Sequence, residues 1–357
     1  MSLAGAVSHK LSQVTVEVSK VALSEGKRHR REAERAAAVG QFLLFHRLRS
    51  PTVSRHEVMA SFKIEAVIRE THRMAESPVW EEETGQLVYV DINAQTVCRW
   101  DPCTREVQKV GLNDRVGCVA LRGKGTYVVA VGTCLGFLDW ETQEVEWTAW
   151  LDQDKPHNRF NDGKVDPAGR FVAGTMPEES APGVWEPGQG SLYTLYTDHS
   201  VVRYLHGLGI PNGLDWSLDH RTFYHIDSLD RCVRAYDYQM ETGEIAKPKL
   251  LYQLPKEQGM PDGMCVDNMG KLWIACIDGS QIIRLDPETG TRLLTVKLPV
   301  SRVTSCCFGG PNYSDLYVTS ASDGLSPQQW SQEHEAGHIF KVTGLGATGI
   351  ASRPFLG

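Results

Sequence analysis

A unit of roughly 35–50 residues recurs six times along the chain from residue 75 to residue 344, and few folds accommodate such a period. Each copy reads as a short apolar run, a turn with Gly or Asp, an alternating strand, a loop, a second alternating strand and a D-x-x-T-type turn into a last strand. Pro78-Val79-Trp80, the turn at Thr84-Gly85 and the strands over residues 87–91 and 97–101 make one copy. Met264-Cys265-Val266-Asp267, the turn at Met269-Gly270 and residues 272–275 and 282–286 repeat it nearly step for step. Residues 214–243 are a third copy and 165–204 a fourth, the latter interrupted by an insertion over 177–190. Residues 118–150 and 305–344 are fainter copies. Units of this size match four-stranded blades, so the expected fold is all-β, a six-bladed β-propeller. A β-sandwich also uses short strands but requires no such repeat. The alternating run over residues 62–68 precedes the first unit and is expected to complete the last blade, closing the ring and removing exposed edges.

One position of the unit keeps returning an oxygen-bearing side chain: Glu76 before Ser77-Pro78, Asn161 before Asp162-Gly163, Asn212 before Gly213, and Asp262 before Gly263. In a propeller the first strand of each blade lines the central channel, which puts the residue ahead of that strand at the channel mouth. Asn-Gly and Asp-Gly are also ordinary turn dipeptides; their shared position in four units favours convergence on one axis. Two carboxylates and two amide oxygens gathered away from water are costly unless a cation sits among them. Hard oxygen donors suit Ca²⁺, Mg²⁺ or Mn²⁺, and Zn²⁺ is also accommodated, so one divalent cation is the expected cofactor. Arg159 places a guanidinium beside the cluster, able to hold a ligand hydroxyl or carbonyl or to pair with a nearby acid. The insertion carrying Glu178 and Glu179 is placed on the same blade to fold over the mouth as a lid.

Residues 1–58 stand apart: ten Lys and Arg against five Glu give +5, so the net charge of −7 leaves −12 on residues 59–357. The expected organisation is a basic N-terminal extension over 1–58 and a propeller domain over 59–357. The extension is expected to be disordered or partly helical: a basic helix over residues 24–45 reads as a nuclear or mitochondrial address, though Glu17, Glu25, Glu32 and Glu34 argue against a mitochondrial presequence. The acidic body argues against nucleic acid as the main partner, and no apolar run approaches the ~20 residues of a membrane span. The 9 cysteines form no C-x-x-C pair and sit mostly in apolar runs, the habit of free buried thiols in a reducing compartment. A cytoplasmic protein is expected.

Two motif matches fail on context. His334-Glu335-Ala336-Gly337-His338 fits the zinc pattern H-E-x-x-H, which needs a helix; Gly337 and the strand-like residues after it deny one. Gly344-Leu345-Gly346-Ala347-Thr348-Gly349 fits a dinucleotide fingerprint but has only eight residues after it, too few for the helix and strand that must follow.

The stretches R-F-N-D-G-K-V-D-P-A-G-R (residues 159–170), N-G-L-D-W-S (212–217), P-D-G-M-C (261–265), E-S-P-V-W (76–80) and S-C-C-F-G-G (305–310) resemble the gluconolactonase-type six-bladed propellers. The resemblance runs from about residue 59 to the C-terminus. It implies metal ligands at Glu76, Asn212 and Asp262 and substrate contacts at Arg159, Asn161 and Glu179, so Asn161 moves from cation to substrate. It implies a sugar-acid lactone as substrate, with gluconolactone hydrolysis or the L-gulonolactone step of ascorbate synthesis as the reaction. It also implies calcium binding, with calcium-dependent protein partners in calcium homeostasis as the alternative role. Asp262 is the expected catalytic base.

Overall fold

The computed structural model describes residues 62–357, so the extension over 1–58 and the helix expected in it lie outside the described residues. Six four-stranded antiparallel sheets follow one another. Blades 1 to 5 are each continuous in sequence, with innermost strands Ala75–Glu81, Val116–Gly123, Asn158–Val165, Pro211–Trp216 and Met260–Val266. Blade 6 takes Val303–Gly309, Asp315–Ser320 and Ile339–Thr343 from the end of the chain and Lys63–Ile68 from its start. The register runs from Lys63 opposite Thr343 to Ala66 opposite Phe340. The run over 62–68 therefore does close the ring: the start of the chain supplies the outermost strand of the blade that its end begins. Among the described residues no helix is long and apolar enough to cross a membrane.

Burial explains the pattern of each blade. The second strand is covered on both faces by neighbouring blades, as in Leu272–Ile277, where all six residues are buried. The outermost strand faces water, as in Ile245–Gln253, where no residue is buried. Aromatic side chains fill the wedge between blades: Trp80 of blade 1 stacks on Tyr317 of blade 6 at 5.5 Å, and Trp273 of blade 5 meets Phe308 of blade 6 edge-on at 5.4 Å. The Asp of the D-x-x-T signal caps its own turn. Asp101 Oδ1 accepts from the Cys103 amide at 2.7 Å, and Asp139 Oδ1 does the same for Thr142 at 2.9 Å. The rejected zinc motif sits in a turn, with Gly337 at φ +80° packed against the His72 backbone.

His225 on the second strand of blade 4 (Thr222–Asp227) is buried with no hydrogen-bond partner at either ring nitrogen. Burial, helped by the Arg234 charge, pushes it down to about 3. The folded chain keeps the ring neutral while the unfolded chain protonates it near its ordinary 6.5. Stability from this residue is thus full above pH 6.5 and falls with pH down to about 3, at about 1.4 kcal/mol per pH unit. Urea unfolding at pH 7 and pH 4.5 is expected to show a smaller acid loss in His225→Leu than in the wild type. An unchanged pH dependence would refute this assignment.

Candidate metal and substrate site

The six innermost strands share a defect. In each, one extra residue breaks the register with the second strand: Glu76 pairs with Val90 but Val79 with Val88, Pro211 with Asp227 but Leu214 with His225, and Pro261 with Cys276 but Met264 with Ile274. The same slip falls between Phe160 and Gly163, between Val303 and Cys306, and between Val116 and Cys118. These are β-bulges, which re-aim side chains beside a site. The Asn-Gly and Asp-Gly pairs are therefore neither turns nor residues ahead of the strand. They lie within it, where the bulge directs the oxygen-bearing side chain. Glycine follows because the next inner strand passes close by: a Cβ on Gly213 would lie 2.6 Å from the Asp262 carbonyl oxygen, and one on Gly263 2.5 Å from Ser305 Cβ.

Two acids hold the strand entrances. Asp91 accepts from the amides of Arg73 and Met74 at 2.9 and 3.0 Å, just before Ala75 and Glu76. Asp227 accepts from Gly209 and Ile210 at 2.8 and 3.0 Å, just before Pro211 and Asn212. Each carboxylate ends the second strand of its blade and clamps the loop that delivers a site residue.

Glu76, Asn212 and Asp262 are all buried, at 6%, 5% and 6% exposure. The Glu76 carboxyl is held well above its usual range by burial first, then by the negative fields of Asp262 and Asp162. Asp262 is raised likewise by burial and then Asp162, opposed by Arg302 and by a hydrogen bond from Asn212. Asn212 Nδ2 donates to Ser228 Oγ at 3.1 Å, and Ser228 in turn donates to the Pro261 carbonyl at 2.6 Å. That bond fixes the amide and leaves Asn212 Oδ1 buried without a partner. An orphan amide oxygen beside two mutually repelling buried carboxylates fits one hard divalent cation. Among the described residues no three His, Cys, Asp or Glu side chains gather about one point; this donor set depends on its amide.

The predicted substrate residues lie alongside. Arg159 and Asn161 are buried on the innermost strand of blade 3. Arg159 Nη1 donates to Asn161 Oδ1 at 2.9 Å and to the Phe160 carbonyl at 2.8 Å, and Asn161 Nδ2 donates to the Pro211 carbonyl at 3.1 Å. Burial, then the neighbouring Arg115, pushes the Arg159 guanidinium down to about 10, against the fields of Glu76, Glu179 and Asp262. Glu179 is exposed at the root of the insertion, near enough to act on Arg159 by its charge. The ion pair to Arg159 comes instead from Glu178, at 3.6 Å.

Three residues here went unassigned from sequence. Asp162 is buried, accepts from the Gly163 amide at 2.7 Å, and is raised to about 6 by burial against the pull of Lys164. Its signal was the middle letter of N-D-G, where two other units carry only N-G or D-G. Lys164 bonds Asp215 at 2.7 Å and the Met264 carbonyl at 3.0 Å, tying blade 3 to blades 4 and 5 below the site. Ser228 had no sequence signal. A cavity of about 630 Å³ adjoins the site along the channel, lined by Asp162, Lys164, Asp215 and Cys307 and by residues 350–354.

A ring of six blades whose bulged inner strands deliver two acids and an oriented amide to one axis defines a six-bladed β-propeller with a candidate cation site. The sequence profile described as SMP-30/Gluconolactonase/LRE-like region matches residues 74–322, and the chain belongs to that family. Regucalcin of Xenopus laevis is 55% identical over 299 residues, 84% of this chain and 100% of that protein. A solved luciferin-regenerating enzyme is 32% identical, with TM-score 0.77, over 82% of this chain and 98% of its own. The crystal structure of a calcium-binding protein, regucalcin, from Agrobacterium tumefaciens has the same TM-score of 0.77 at 23% identity, covering 82% of this chain and 97% of its own.

Proposed function

We propose that this protein hydrolyses sugar-acid lactones with one divalent cation held by Glu76, Asn212 and Asp262. The observation that carries the reading is the orphan Asn212 Oδ1 beside the two repelling carboxylates. A bound cation would supply charge to stabilise the oxyanion that develops at the lactone carbonyl. Asp262, held at the cation, takes the proton from the attacking water. Arg159 and Asn161, locked to each other and to the Pro211 carbonyl, present donors to the hydroxyls of a polyol, and Glu179 of the insertion presents an acceptor. Burial of Arg159 removes competing water and fixes the donor direction.

The test is a matrix of cations against lactones on the full chain. After chelation, hydrolysis of gluconolactone is expected to fall to background, and Ca²⁺, Zn²⁺, Mn²⁺ or Mg²⁺ to restore it to different degrees. Hydrolysis indifferent to chelation would end this reading. The regucalcin relatives and the Agrobacterium structure described as calcium-binding favour a second one, a calcium-binding protein without turnover. It predicts Ca²⁺ binding by calorimetry together with no hydrolysis of any lactone tried.

A further inference from the structure

Two guanidiniums converge on one carboxylate oxygen at the mouth. Arg115 Nη1 forms an ion pair with Glu178 Oε1, and Arg159 Nε faces the same oxygen at 3.6 Å, too far for a hydrogen bond. The three residues come from different elements. Arg115 leads into the innermost strand of blade 2, Arg159 lies on that of blade 3, and Glu178 opens the insertion after Phe171–Pro177. The Glu178 amide donates to the His157 carbonyl at 2.7 Å, so the root of the insertion is pinned and the side chain has only to choose between the two arginines. Arg159 Nε is left buried and without a hydrogen-bond partner, although its Nη1 is fully engaged.

We propose that Arg115 is a positioning residue for substrate: it draws Glu178 away from Arg159 and so leaves Arg159 Nε free to donate to a lactone hydroxyl. The proposal rests on the lactonase reading. A buried donor with no partner is costly, and the nearest acid able to satisfy it is held off by a competing cation. Without Arg115, Glu178 closes the 3.6 Å gap, satisfies Nε within the protein and withdraws it from the sugar. A partly exposed ion pair shifts such a balance by a modest factor. The loss belongs to binding, because Arg159 meets the hydroxyls of the sugar and not the scissile bond.

Arg115→Ala is expected to raise KM for the lactone about threefold to tenfold, with kcat within about twofold of wild type. Arg115→Lys retains the positive charge and is expected to stay near wild type. The deciding variant is Arg115→Ala with Glu178→Gln. The neutral amide no longer competes for Arg159, so KM returns toward the wild-type value. If Arg115 merely strapped the insertion down, Glu178→Gln alone would match Arg115→Ala and the double variant would recover nothing; that result overturns the proposal. An unchanged KM in Arg115→Ala, with the wild type active, overturns it too and leaves the lactonase reading standing. A wild type that hydrolyses no lactone with any cation removes both.

Discussion

Asp262→Asn is expected to lower lactone hydrolysis by at least ~100-fold and, at the same time, to raise the melting temperature of the cation-free protein. The two effects share one origin. The substitution keeps the shape and a hydrogen-bonding oxygen but removes a negative charge from a position that is 6% exposed and faces Glu76 and Asp162. Loss of the base and of a charged ligand accounts for the rate. Loss of buried like-charge repulsion accounts for the stability, as at many sites where function is maintained against folding. Added cation is expected to stabilise the wild type strongly and the variant weakly, since only a protein that binds the ion gains from it. Thermal unfolding in chelator and in excess Ca²⁺, beside initial rates, reads both quantities. A variant that melts lower than wild type in chelator would contradict the electrostatic account of this site.

Gly213→Ala is expected to damage both the fold and the site, although it adds one methyl group. The Cβ would lie 2.6 Å from the Asp262 carbonyl oxygen and 2.6 Å from Met264 Cβ. Backbone is one of the neighbours, so no side-chain rotation relieves the overlap, and the innermost strands of blades 4 and 5 must separate. Overpacking of this kind costs about 1–3 kcal/mol, and the strand that moves carries Asp262, so cation affinity falls with stability. Gly111→Ala is the control: nothing lies within 4 Å of its Cβ, and a change within about 0.5 kcal/mol is expected. Urea unfolding and calorimetric cation titration of both variants separate this from a general glycine effect. Equal behaviour of the two would show that the close approach of the inner strands is unimportant.

The architecture was legible because a propeller writes its blade into the sequence over and over. Apolar alternation set the strands, the capping acids such as Asp101 and Asp139 marked the turns, and the odd strand over 62–68 had an obvious vacancy to fill in blade 6. The candidate site was legible for a related reason: Glu76, Asn161, Asn212 and Asp262 hold one position of the repeat. Their local conformation was not. Asn-Gly reads as a turn, and only pairing against the second strand shows the extra residue that makes it a bulge. Glu178 and Glu179 are adjacent in a non-repeating insertion, so nothing in the sequence says which one meets Arg159; the ion pair falls to Glu178.

By itself, then, the order of residues determined the number of blades, their strands and the short set of oxygens aimed at one axis, because periodic burial and periodic turns leave periodic traces. What only the folded chain decided lies between strands and units: the bulge that re-aims each inner strand, the Ser228 hydroxyl that turns the Asn212 amide, and the choice of Glu178 between Arg115 and Arg159. Those contacts join positions far apart along the chain or within unique insertions. Their energies depend on distance and burial, which no repeat encodes.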